Sequence, residues 1–284
     1  MIKKKMMKKI VVVGLTLALA VGALAGCGGK STDTGSIVIA GSTSVQPLSE
    51  AIAGNYMNEN KDVKIEVQGG GSGQAVKSLK EEIAQIGALS REVKDGEKEA
   101  IAKEYVFAKD GVAVVVNKDV NVTDLTIEQI KKIYSGEITN WKEVGGADAE
   151  ISVVSREAGS GTRGAFTEIT GVLSKDAAGA EVDSTTQKAL VQPSTGAVLE
   201  TVTKTPNAIG YVSLEAVNDK VTAVTVEGVK ISKETVLDGT YKISRPFIYA
   251  VGANVNEATQ KFIDFVMSAE GQKLVEENGF IPVK

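Results

Sequence analysis

The sequence predicts an α/β protein built on a mostly parallel sheet, or on two of them. Three observations predict it. Apolar, β-branched stretches of strand length alternate with longer stretches of helical spacing along most of the chain. Three times, at residues 37–56, 63–83 and 151–169, a strand-like run leads through a Gly/Ser-rich loop into a helix. Apolar residues make up 43% of the 284 positions, enough for a substantial core.

The N-terminus stands apart from this pattern. Lys3, Lys4, Lys5, Lys8 and Lys9 precede an uncharged apolar run over residues 10–25, and Gly26 and Cys27 follow. A basic head, a short apolar centre and a small-residue cleavage site make residues 1–26 a secretory signal peptide. The run falls short of the roughly 20 apolar residues that a spanning helix needs. Leu24-Ala25-Gly26-Cys27 resembles the bacterial lipobox, which implies that Cys27 is lipid-modified and becomes the mature first residue. Cys27 is also the only cysteine, so no intramolecular disulfide forms. Residues 27–36 are small and polar and read as a flexible tether. Loss of residues 1–26 removes five lysines and no acid, which takes the formal charge from −4 to −9. So acidic a body does not attract nucleic acid or anionic lipid by bulk charge, and any anion it binds is held by local geometry.

The body opens with a strand over 37–40, then Gly41-Ser42-Thr43-Ser44-Val45, then a helix whose inner face carries Leu48, Ala51, Ile52, Asn55 and Tyr56. Pro47 falls in its first turn, where the missing N–H does no harm. Val63, Ile65 and Val67 alternate as a second strand, Gly69-Gly70-Gly71-Ser72-Gly73 follows, and Val76, Leu79 and Ile83 carry a second helix. A short strand over 86–88 ends at Leu89-Ser90-Arg91. Residues 95–103 read as an exposed helix, and 105–108 and 111–116 as two buried strands. Thr126-Ile127-Glu128-Gln129 is a capping box, with Leu125 and Ile130 as its hydrophobic staple. Trp141, the only tryptophan, is assigned to packing. Residues 184–203 read as helical on either side of Pro193, 209–212, 221–226 and 245–251 as strands, and 262–267 as the core of a final helix. Gly279 ends the last helical turn.

The most informative stretch is Arg156-Glu157-Ala158-Gly159-Ser160-Gly161-Thr162-Arg163. A strand, then glycine and serine, then a helix start leaves backbone N–H groups without intrahelical partners at the positive end of the helix dipole. That arrangement suits an anion, and Arg156 adds a planar, permanently charged fork. Neither G-x-G-x-x-G nor G-x-x-x-x-G-K-[ST] occurs, so the loops do not read as nucleotide sites. Glu157 is taken as an exposed loop residue.

The chain contains no histidine, which removes Ser-His-Asp and Cys-His nucleophiles, His-ligated zinc and the commonest general base. With Cys27 committed to lipid, thiol chemistry is gone as well. Ser-Lys and carboxylate-only catalysis stay open, but spacing places no lysine or carboxylate pair beside the three loops, Glu157 apart, so the protein is expected not to be an enzyme and no cofactor or metal is expected.

Several motifs together resemble the phosphate-binding lipoproteins that serve bacterial phosphate ABC importers. The matching stretches are residues 39–47, 68–73, 136–146, 156–163, 208–212 and 270–273. Arg-x-x-Gly-Ser-Gly-Thr behind a lipobox is the most specific of them. The resemblance implies a two-lobed periplasmic-binding-protein (type II) fold, each lobe a mostly parallel sheet flanked by helices, joined by two crossover segments. It places lobe 1 at 37–115 and 246–284 and lobe 2 at 116–245. It implies phosphate contacts from Ser42, Thr43, Ser44, Ser72 and Ser90 on the first lobe. Arg156, Ser160, Gly161 and Thr162 are the contacts it implies on the second.

Where some relatives have an aspartate that accepts the proton of hydrogen phosphate, this chain has Ser90, followed by Arg91. A serine can accept a proton's hydrogen bond but cannot repel sulfate by charge. Arg91 is expected either at the ligand or in a salt bridge within its lobe. The function implied is a monomeric, extracytoplasmic phosphate receptor, lipid-anchored to the outer face of the cell membrane, that delivers to ABC importer permease subunits. The rival readings are a receptor for sulfate, molybdate or tungstate, a surface phosphate-ester hydrolase, or a sensory or adhesive lipoprotein that kept the fold but not transport.

Overall fold

The structure, a computed structural model, describes residues 35–283. The signal peptide, Cys27 and most of the tether lie outside the described residues. The first elements are β1 (Ser36–Gly41), α1 (Gln46–Glu59), β2 (Lys64–Gly69), α2 (Ser72–Lys80) and β3 (Ile86–Leu89). A long strand β4 (Lys103–Asn117) leads to β5 (Asp124–Leu125), α3 (Ile127–Ser135), β6 (Ser152–Arg156) and α4 (Gly161–Thr170). Then come β7 (Leu173–Lys175), β8 (Glu181–Asp183), β9 (Leu190–Gln192), α5 (Thr195–Lys204) and β10 (Ala208–Ser213). Next are β11 (Val221–Ala223), β12 (Thr225–Val226) and α6 (Lys233–Leu237). The return to the first lobe is β13 (Ser244–Val251), with α7 (Glu257–Val266), α8 (Ala269–Glu277) and β14 (Ile281–Pro282) closing the chain.

Eight strands lie in the order β2-β1-β3-β13-β4-β10-β6-β9. The outer ladders are parallel, β1 with β2 and β3 on one side and β6 with β9 and β10 on the other. The crossover strands add antiparallel ladders, β13 with β3 and β4, and β4 with β10. The parallel pattern expected of each lobe is thus found away from the crossovers, and the sheet as a whole is mixed.

Two hydrophobic cores flank the crossover. Ile37, Ile39, Leu48, Ile52, Phe107, Phe247, Tyr249 and Phe262 belong to the first. Val112, Val114, Val116, Val154, Phe166, Tyr211 and Val212 belong to the second. Strand β4 changes core at Asp110 and Gly111, earlier than the boundary expected after residue 115, because Val112 to Val115 already pack in the second core. Gly111 marks the change physically: a Cβ there would sit 2.7 Å from Val236 Cγ2 and 2.9 Å from Ile231 Cδ1. Two side chains of the second core close on the strand at that point.

Local chemistry explains most element ends. Thr126 Oγ1 accepts from Gln129 N at 3.1 Å and Gln129 Oε1 accepts from Thr126 N at 2.9 Å, the capping box of α3. Leu125 and Ile130 are both fully buried beside it. Gly136 stops the helix in a left-handed conformation at φ 80°. Trp141 is buried and its indole N–H donates to Asn207 O at 3.0 Å, a packing residue.

Six expectations change. Ile83 is exposed beyond α2, which ends at Lys80. Residues 221–226 are two strands, because 221–223 pair with β4 and 225–226 with β5 in a separate sheet. Residues 105–108 and 111–116 are one strand, since the chain runs straight through the crossover. Residues 95–100 form a 3-10 helix and not an α-helix. Residues 184–192 are not helical, because 190–192 are drawn into the sheet beside β6 and only 195–204 form a helix. The final helix is two, because Ser268 accepts from Gly271 N at 3.2 Å and starts a new one.

Candidate functional site

Four strand ends open four helices that point at one place between the lobes. The loops after β1 and β2 lead into α1 and α2 of the first lobe, and those after β6 and β9 lead into α4 and α5 of the second. Their hydroxyls meet. Ser44 Oγ lies 2.8 Å from Thr162 Oγ1 and 2.9 Å from Thr195 Oγ1. Gly73 N donates to Gly159 O at 2.9 Å, a backbone bond between the same loops. Each helix start turns the positive end of its dipole toward this place, and α4 adds first-turn N–H groups.

On the first lobe, Gly41 adopts φ 147° and brings the chain so near β3 that a Cβ would lie 2.2 Å from Ala88 O. Ser42 N uses that closeness to donate to Ala88 O at 2.8 Å. Ser42 Oγ then donates to Ser90 Oγ at 2.7 Å, and Ser90 N donates to Ser72 Oγ at 3.0 Å. Ser42, Ser72 and Ser90 are all buried, so three hydroxyls from three loops form a fixed cluster.

On the second lobe, Arg156 ends β6 with its backbone N–H donating to the Tyr211 hydroxyl at 3.1 Å. Burial pushes that phenol up to about 12, so Tyr211 stays neutral at its post. The Arg156 side chain is buried, and its Nε and Nη2 each donate to the Glu157 carboxylate at 2.8 Å. Glu157 is therefore no loose loop residue. It is 30% exposed and fixes the plane of the guanidinium. The outer edge of the fork faces the hydroxyls, with Nη1 donating to Thr195 Oγ1 at 3.4 Å and Nη2 to Thr43 Oγ1 at 3.3 Å.

Helix α4 begins where the two lobes touch. Ser160 caps it by accepting from Arg163 N at 3.2 Å, which leaves the N–H groups of Gly161 and Thr162 without intrahelical acceptors. A Cβ on Gly161 would lie 2.0 Å from Ser72 Oγ and 2.5 Å from Ser90 Oγ. Only a glycine lets this helix start approach the serine cluster so closely. The structure thus brings together Ser42, Thr43, Ser44, Ser72, Ser90, Arg156, Ser160, Gly161 and Thr162. The set offers hydroxyls, helix-start N–H groups and one guanidinium edge, which is chemistry for holding a small anion.

The model of the PBP superfamily domain matches residues 28–270. The phosphate-binding protein PstS of Bacillus subtilis is 36% identical over 262 residues, which cover 90% of this chain and 83% of that protein. The chain belongs to the PstS family within the PBP superfamily. PstS of Borreliella burgdorferi is 32% identical over 284 residues, covering 98% of this chain and 100% of that one. Among solved structures, one from Clostridium perfringens is described as a phosphate ABC transporter substrate-binding protein with bound phosphate. It is 44% identical, with a TM-score of 0.82 over 88% of this chain and 100% of that one. A phosphate transport receptor of Vibrio cholerae is 36% identical, with a TM-score of 0.73 over 86% of this chain and 99% of that one.

Of the two places expected for Arg91 in this PstS family member, the structure shows the salt bridge within its lobe: Nη1 and Nη2 donate to Glu97 at 2.7 and 2.6 Å. Two further features lie outside the motif reading. Thr195 joins the hydroxyls from a fourth loop, and the signal that could have found it is Ser194-Thr195-Gly196 after Pro193, a Ser/Gly helix start like the other three. Asp110 and Arg245 form a buried ion pair in the crossover, which no sequence spacing announces.

Proposed function

We propose that the chain binds inorganic phosphate between its lobes and delivers it to the permease subunits of an ABC importer, without catalysing a reaction. The observation that carries this reading is the convergence of the Arg156 outer edge and four helix starts on one interlobe point. The phosphate-binding protein of Bacillus subtilis and the phosphate-bound structure from Clostridium perfringens support the choice of anion. The proposed contacts are Ser42, Thr43, Ser44, Ser72 and Ser90 from the first lobe. From the second come Arg156, Ser160, Gly161 and Thr162. Contacts from both lobes exist together only when the cleft is shut, so the ligand favours the closed state.

The receptor acts as a monomer at the outer face of the membrane, held by lipid on Cys27 after removal of residues 1–26. Among the described residues no helix is long and apolar enough to cross a membrane. One observation keeps a second reading in view: Ser90 supplies a hydroxyl where a carboxylate would repel sulfate, which favours a broader oxyanion receptor. Radiolabelled phosphate uptake by cells lacking the gene, with sulfate as competitor, separates the two. Loss of phosphate uptake that sulfate does not mimic or compete with supports the phosphate receptor. Uptake unchanged by deletion contradicts it. Cys27→Ala moves the protein from the membrane fraction to the medium if the lipid is its anchor.

A further inference from the structure

Thr195 opens α5, and Ser194 caps that helix by accepting from Ala197 N at 3.1 Å. The cap leaves both the Thr195 N–H and its hydroxyl free of helical duties. Both turn away from α5 toward the other lobe. Thr195 N donates to Thr43 Oγ1 at 3.3 Å, and Thr195 Oγ1 lies 2.9 Å from Ser44 Oγ and 3.4 Å from Thr43 Oγ1. On its own lobe it accepts from Arg156 Nη1 at 3.4 Å. The residue is 7% exposed. The Thr195 hydroxyl accepts from Arg156 and can donate to or accept from Ser44 Oγ, its shortest partner at 2.9 Å.

We infer that Thr195 is a positioning residue that latches the closed lobes and aims the outer edge of Arg156, and so sets how long the anion stays. The inference rests on the phosphate reading above. Every first-lobe partner of Thr195 belongs to the loop before α1, so those bonds form only after closure. A bond made after capture slows release and leaves capture unchanged. Valine at this position keeps the branched shape and the N–H but removes the hydroxyl. Serine keeps the hydroxyl and loses only a methyl group. A role in packing or in starting α5 would treat the two replacements in the opposite order, because valine preserves the volume.

The test uses the full mature chain, loaded with radiolabelled phosphate and chased with unlabelled phosphate, with the affinity taken from equilibrium dialysis. Thr195→Val is expected to release phosphate about tenfold faster, the loss of one to two neutral hydrogen bonds. The association rate and the melting temperature without phosphate stay at the wild-type values, and Thr195→Ser releases at nearly the wild-type rate. Thr195→Ala gives the same reading should the valine variant fail to fold. Release from Thr195→Val at the wild-type rate, or equal acceleration in the valine and serine variants, overturns the latch while leaving the phosphate reading intact. A wild-type chain that binds no phosphate overturns both.

Discussion

Asp110 and Arg245 face each other across the two strands that join the lobes, as directly paired residues of β4 and β13. Both are buried, and Asp110 Oδ2 accepts from Arg245 Nε at 3.0 Å and Nη2 at 2.8 Å. Ser213 of β10 donates to the other carboxylate oxygen at 2.7 Å, and Arg245 Nη1 reaches Ser90 O at 3.4 Å. One ion pair therefore ties both crossovers, the second lobe and a serine of the candidate site. Two buried charges without partners would be costly, so here each satisfies the other.

Removing one partner strands the other. Asp110→Ala leaves the Arg245 guanidinium buried without its carboxylate, and is expected to cost about 3–5 kcal/mol of folding stability. Urea unfolding of the phosphate-stripped protein measures this. A midpoint equal to that of the wild type would mean that the crossover relaxes and lets water reach Arg245.

The Arg91–Glu97 pair predicts a pH dependence. Burial works to raise the Glu97 carboxyl, but the hydrogen bonds and charge of Arg91, with the Lys94 N–H, outweigh it and hold the group below its usual value. The folded state thus favours the carboxylate. Its contribution is full above the unfolded carboxyl value of about 4.3 and is lost as pH falls through the lower, folded value. Glu97→Gln is expected to destabilise by about 1–3 kcal/mol at neutral pH. Thermal melts of the two proteins should converge as pH falls through that lower, folded value, and a gap that stays constant with pH would refute the ionic origin.

Arg156 and Lys142 carry the same charge in different settings. Arg156 is buried with its outer edge toward the hydroxyls, whereas Lys142 is exposed and pairs with Asp148 at 3.0 Å. Arg156→Ala is expected to weaken phosphate binding by about 2–5 kcal/mol, and Lys142→Ala to leave it within twofold. Equal losses in equilibrium dialysis would place the anion elsewhere.

Gly161→Ala tests closure separately from charge. The added methyl group would meet Ser72 and Ser90 of the facing lobe. Phosphate affinity is expected to fall at least tenfold, about 1.4 kcal/mol, with an unchanged melting temperature in the absence of phosphate. A loss of stability without phosphate, equal to the loss of affinity, would show that the methyl group disrupts folding and not closure.

Local signals explain what the sequence made legible. Gly41, Gly161 and the Gly69-Gly70-Gly71 run announce close backbone approaches, and Ser160 announces a helix cap, because these are properties of a few consecutive residues. Arg156 was visible for the same reason. Thr195 was hidden because residues 184–192 read as a continuation of helix. Their true state depends on a three-residue ladder between β9 and β6, which no local pattern encodes. Asp110 and Arg245 are 135 residues apart, and their pairing follows from a strand register that only the assembled sheet defines. Glu157 looked exposed because its partner is its immediate neighbour, and the bend that allows Arg156 and Glu157 to pair is tertiary in origin.

The most direct test of the account is calorimetric titration of residues 36–284, stripped of phosphate, with phosphate and then with sulfate at the same pH. One phosphate per chain is expected, bound tightly in wild-type protein and weakly in Arg156→Ala. Comparable heat from sulfate would keep the site and widen its ligand to oxyanions in general. Folded, phosphate-free protein that gives no heat with phosphate would contradict the central claim.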